Sequence, residues 1–266
     1  MHRFSLLAVL ATLGLVVTGA WITSQHPATN VWLSVHVTFA VVLAVLLIAV
    51  AVAGRKHRPV VWLGLIALAV VVMEAPLGEH AAYMWHSVWH ATMAAVLLAL
   101  TTAVALCTST GWKSGPETVF DSGWPSLRSL AVVAPTLVFI QVLLGACFRH
   151  KAMGLMWHIV GAMVVALTVL MFGMFVTQQF PKHRALRPCA VAMLVAVLAQ
   201  VLLGVAALTT EMMAPDNTIT TGILFSTVAH VTVGALTLAM VLILAIQIRR
   251  HVQKPAEDTD EESVSV

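Results

Sequence analysis

The sequence predicts an all-α polytopic membrane protein whose eight transmembrane helices form two duplicated four-helix bundles, and three observations support that prediction. Hydrophobic residues make up 60% of the 266 and charged residues 9%, with the charges gathered in short clusters between apolar runs. Each run approaches the roughly 20 apolar residues that an α-helix needs to cross the hydrocarbon core of a bilayer. The second half of the chain also repeats the pattern of the first.

The eight runs lie at 5–23, 31–53, 60–78, 84–107, 129–148, 154–177, 188–208 and 222–247. Run 1 follows Met-His-Arg as a signal peptide would, but it is too long for an h-region and lacks a small-x-small cleavage site. It is therefore expected to stay as a helix. Residues 1–108 and 129–250 make the two four-helix units, and the polar segment 109–128 links them with no function legible in it. The acidic, Ser-rich residues 251–266 read as a disordered tail.

Orientation follows from Lys and Arg. Placing both termini and the loops after runs 2, 4 and 6 on one side collects twelve of the 14 basic residues, leaving Arg149 and Lys151 across the membrane. The positive-inside rule makes that side cytoplasmic and the membrane an inner, cytoplasmic one. The net charge of +3 thus reports topology and gives no reason to expect a nucleic-acid partner. Cys107 and Cys189 fall near cytoplasmic ends and Cys147 near an outer end, so no disulfide and no zinc spacing is expected.

Aligning the halves puts His36 of run 2 on His158 of run 6, and His90 of run 4 on His230 of run 8. The odd runs repeat too: Gln141 to Gly145 and Gln200 to Gly204 both read Gln-Val-Leu-Leu-Gly, and Glu74 to Gly78 fits with an acid for the amide. Run 1 keeps only the end of this pattern, in Val16-Val-Thr-Gly19. Two four-helix copies enter the membrane from the same side, which relates them by an axis along its normal. The glycines alone are as well explained by close helix packing.

Each paired histidine lies five to nine residues after the outer start of its run, so all four share a depth of about 8–13 Å. A histidine inside hydrocarbon is costly and faces the bundle interior with a partner. A single one could be a hydrogen-bonded core residue; four at one depth, paired by a repeat, point to metal ligation. Zinc wants three or four clustered ligands, whereas two facing imidazoles in a four-helix unit suit the two axial positions of haem iron. His36, His90, His158 and His230 are the candidate metal ligands. Arg149, His150 and Lys151 lie at the outer rim above His158, where haem propionates could meet cations or where a plain interfacial anchor would stand.

His86 shares a helical face with His90 and is the alternative ligand, with the repeat favouring His90. His26, His57, His80, His183 and His251 are expected to be solvated. Glu74 near the outer end of run 3 is expensive unless it is neutral, hydrogen-bonded or functional. Pro76 is the intramembrane proline weighed against the broken helices of a haem-free transporter, and it lies near a helix end.

These residues resemble the haem A synthases, eight-helix proteins of respiratory membranes. The likeness rests on Gln141, Leu144, Gly145, Ala146, Arg149 and His150 in run 5, on Ala199, Gln200, Leu203 and Gly204 in run 7, and on the histidine of each even run. It implies that His158 and His230 ligate a bound haem b, with Gln141, Gln200, Arg149, His150 and Lys151 around the cofactor, and that His36 and His90 line a site for haem O. There the methyl of haem O would be oxidised to the formyl of haem A. Implied partners are haem O synthase, cytochrome oxidase assembly components, membrane lipid and a quinone or other electron acceptor.

The chain departs from the family pattern in three places. Its first outer loop is the short Ser24-Gln-His-Pro-Ala-Thr-Asn30 without cysteine, Leu33 stands three residues before His36 where the family has glutamate, and the loop from Arg149 to Gly154 is short. Glu74 is expected to supply the missing carboxylate, joining His36 and His90 as a catalytic residue. A non-enzymatic dihaem b cytochrome for electron transfer or haem carriage would use the same four histidines.

Overall fold

The computed structural model describes residues 1–25, 30–121, 123–215 and 218–253. His26, Lys254 and the rest of the acidic tail lie outside the described residues. The helices are α1 (His2–Ser24), α2 (Asn30–Ala53), α3 (Arg58–Glu79), α4 (Met84–Thr108), the short α5 (Thr110–Lys113), α6 (Leu127–Arg149), α7 (Leu155–Gln179), α8 (Leu186–Met212) and α9 (Thr221–His251). Two short strands, β1 (Val119–Phe120) and β2 (Val252–Gln253), pair in parallel. All the helices but α5 are long and apolar enough to cross a membrane, and they coincide with the eight runs. Their lipid-ward faces carry residues such as Val45, Leu167 and Leu202 fully in the open, as a hydrocarbon surround requires.

Within each half the helices close into a ring: α1 packs on α2 and α4, and α3 packs on the same two; α6, α7, α8 and α9 repeat this arrangement. Across the halves α4 meets α9, α1 meets α9 and α4 meets α6. Exchanging the halves turns the α1–α9 contact into the α6–α4 contact and leaves α4–α9 unchanged, so a pseudo-twofold axis runs between α4 and α9. Those two helices are accordingly the most enclosed, with 56% of each apolar stretch buried against 11% for α8.

The main core joins Leu98 and Ala99 of α4 to Phe172 of α7, Met193 of α8 and Ala239, Leu244 and Ile248 of α9. A second cluster packs Ala8, Ala11 and Leu15 of α1 on Leu43 and Leu47 of α2. Buried hydroxyls are satisfied within their own helices, as in Thr12 to Ala8 O at 2.7 Å and Thr92 to Val88 O at 2.8 Å. Pro135 lies inside α6, so Pro76 is not the only proline within a span. Both helices run on through their prolines, and the broken helix of the transporter alternative is absent among the described residues.

The segment 109–128 is more ordered than a plain linker. Asp121 caps its own turn and the start of α6, its carboxylate accepting from Gly123 N at 2.9 Å and Leu127 N at 2.6 Å. Arg250 stacks on Trp112 at 3.8 Å and donates to its carbonyl, while Arg128 donates to Val252 O at 2.8 Å. His183 and His251, expected in solvent, are 6% and 5% exposed and stand 4.9 Å apart. The backbone of Glu117 lies across them and bonds both rings. His251 thus closes α9, and β2 extends the ordered chain to residue 253, into the stretch expected to be a disordered tail.

Candidate functional site: two facing imidazole pairs

The four aligned histidines meet in two pairs, one inside each bundle. His36 and His90 have ring centres 6.2 Å apart at 61°, and His158 and His230 have centres 6.1 Å apart at 87°. The histidines lie six, six, three and nine residues into α2, α4, α7 and α9, so helix starts are a poor guide to depth and the pairing itself sets the common level. His86 faces away, exposed among His80 and Tyr83, which leaves His90 as the inward residue.

Each ring rests on a glycine of the preceding helix, α1, α3, α6 or α8. A Cβ would stand 3.2 Å from His36 Cε1 at Gly19, 3.1 Å from His90 at Gly78, 3.0 Å from His158 at Gly145 and 2.9 Å from His230 at Gly204. Real Cβ atoms essentially never come as close as at Gly204, and the other three contacts are tighter than nine in ten, so the repeated glycine is a seat for an imidazole. Close helix packing follows from it. Gly161 and Gly234 do the reverse service, leaving room on α7 and α9 for Gln141 and Gln200. The sequence carried that signal in the second-half pairing of Gln with Gly, but only the crossing of α6 on α7 and of α8 on α9 reveals it.

The same preceding helix also gives each ring one polar partner. Gln141 Nε2 donates to His158 Nδ1 at 3.0 Å and to its carbonyl at 2.8 Å, and Gln200 Nε2 lies 3.3 Å from His230 Nε2. Glu74 Oε2 lies 2.7 Å from His90 Nδ1, within ion-pair distance but outside hydrogen-bond geometry. In α1 the partner is Thr18, whose Oγ1 is 2.9 Å from His36 Nδ1. Thr18 went unnoticed in the sequence because it stands one residue before its glycine, where the other three partners stand four before theirs.

The rim residues make contacts of their own. Arg149 Nη2 reaches across the seam to the end of α1, donating to Ala20 O at 3.0 Å and to Thr23 Oγ1 and Ser24 Oγ, each at 2.7 Å. A cation at a helix C-terminus is favoured by the helix dipole. Lys151 is exposed and takes φ 62°, the left-handed position that ends α6. His150 is half-buried; desolvation, then Arg149 and then His90, hold its pKa below the ordinary value. Arg149 thus binds the two halves together at the histidine end.

The residues present fit haem. A metal–imidazole bond of about 2 Å on either side of one ion puts ring centres about 6 Å apart, and the two pairs have centres 6.2 and 6.1 Å apart. Eight buried side-chain polar atoms among the described residues have no partner, and five belong to these sites: Glu74 Oε1, His90 Nδ1, Gln141 Oε1, Gln200 Oε1 and His230 Nδ1. Among the described residues no three His, Cys, Asp or Glu cluster as zinc would need, and all three cysteines are free. Comparison of the chain with protein-family models and with curated proteins gives no match in either.

Proposed function

We propose that the chain is a haem-binding membrane oxidoreductase that acts as haem A synthases do, oxidising the methyl of haem O to the formyl of haem A for cytochrome oxidase. The observation that carries this reading is an asymmetry inside a symmetric frame. Both halves offer the same imidazole pair at the same spacing, yet only the first sets a carboxyl group, Glu74, against one of its rings. A pair of equivalent electron-transfer sites gives no reason for that difference; a substrate site beside a resident cofactor does.

On this reading His158 and His230 hold haem b, and His36 and His90 receive haem O. Bound haem supplies the iron redox chemistry that the side chains lack. The chain holds the rings by the glycine seats, fixes them through Thr18, Glu74, Gln141 and Gln200, and keeps the site within apolar helices where water is scarce. Glu74 acts through His90, and its buried, unpartnered Oε1 is the atom free to take a proton. The second pair, across the α4–α9 seam, is the exit for electrons toward a quinone or other acceptor. The distribution of basic residues supports cytoplasmic termini and an inner membrane, within reach of haem O synthase and of oxidase assembly.

The near equality of the two spacings favours a second reading, a dihaem b cytochrome with both haems resident. A pyridine haemochrome spectrum of the protein purified from cells with and without haem O synthase separates the two. Haem A, or its hydroxylated precursor, appearing only with the synthase is expected; two unchanged haem b groups in both preparations would overturn the enzyme reading. Glu74→Gln should lower haem A yield at unchanged haem b content, and unaltered yield would remove Glu74 from the chemistry.

A further inference from the structure

We propose that Thr18 and Glu74 make His36 and His90 a more electron-donating ligand pair than His158 and His230, so that a metal held by the first pair has the lower reduction potential. The potential half of this inference rests on haem binding by both pairs; the ring chemistry beneath it does not.

Thr18 has one hydroxyl proton, committed to Gly14 O at 2.7 Å, so toward His36 Nδ1 its oxygen can only accept. Glu74 Oε2 stands 2.7 Å from His90 Nδ1, off the N–H axis, and an ionised carboxylate beside that nitrogen can only accept. Both rings therefore carry their proton on Nδ1 and keep the Nε2 lone pair free, the tautomer that binds a metal through Nε2. Donation of the distal N–H to an acceptor, and above all to a carboxylate, raises ligand basicity and favours the more oxidised metal.

The second pair has amides instead. Gln141 presents its nitrogen to His158 Nδ1, with its other hydrogen spent on His158 O, and Gln200 presents its nitrogen to His230. A ring that binds a metal through Nε2 carries its proton on Nδ1, so there the amide must turn end for end and offer its oxygen, which is neutral and a weaker acceptor than a carboxylate. The two sites are thus matched in spacing and unmatched in electron donation. The difference points downhill from the first pair to the second.

Two measurements on the full-length protein decide the matter. In metal-free protein with 15N-labelled imidazoles, NMR should show His36 and His90 protonated on Nδ1, with Glu74→Gln disturbing His90 alone; an Nε2-protonated His90 overturns the proposal whatever the haem content. In haem-loaded protein, an absorbance-monitored redox titration should give two midpoints, the lower one lost in His36→Ala and the higher one lost in His158→Ala. Glu74→Gln should raise only the lower midpoint, by about 59 mV for each tenfold change in the one-electron equilibrium, and Glu74→Asp should recover part of the shift. Midpoints in the reverse order, or a Glu74→Gln variant that moves neither or both, overturn it. Protein that takes up no haem refutes the proposed function and leaves the tautomers to judge this inference.

Discussion

A single methyl group separates a seated imidazole from a displaced one. At Gly145 an added Cβ would meet His158 Cε1 at 3.0 Å, and at Gly204 His230 Cε1 at 2.9 Å, so Gly145→Val should drive the ring off its partner. Such a variant, where it folds, should lose the haem of the second half and keep that of the first, as read by haem content per chain. His150 gives a pH prediction. Its folded pKa lies below 6.5, held down by desolvation, then Arg149, then His90, so on acidification the unfolded state takes up the proton first. Stability should fall as pH drops below about 6.5, and His150→Gln should flatten that fall in the melting temperature. The four paired histidines were legible in the sequence because a duplication marks them twice. His183 and His251 were misplaced because Glu117, which buries them, is 66 and 134 residues away along the chain.

At the scale of elements, the two ends of the bundle are fastened by different means. The terminal face is closed by the 109–128 segment, where Asp121 holds the start of α6 through Leu127 N at 2.6 Å. Asp121→Ala strands that buried amide and should cost about 2 kcal/mol, visible as a lower melting temperature with haem spectra unchanged. The histidine end is fastened by Arg149, which spans from α6 to the last turn of α1. Arg149→Met should loosen α1 and raise hydrogen exchange near Ala20 to Ser24 more than elsewhere. The eight spans could be placed from hydropathy alone, since length and apolarity decide them. The fold of the linker could not, because its strand pairing and its contacts with Arg250 and Val252 depend on residues from the far end of α9.

At the scale of the whole molecule, the repeat that sequence alignment detects is realised as a pseudo-twofold arrangement about the α4–α9 contact. The symmetric part of the site, imidazole on glycine, could be read from the aligned histidines and glycines. The asymmetric part could be read only in part: Glu74 stood out as an acid in an amide position, while its contact with His90 and the substitute role of Thr18 required the helices in place. The central claim, that each half holds a haem between its imidazole pair, is tested most directly by haem counted per chain in wild type, His36→Ala and His158→Ala purified from cells making both haem b and haem O. The account predicts two in the wild type and one in each variant, with haem b lost only from His158→Ala. Equal haem content in all three, or none in any, would contradict it.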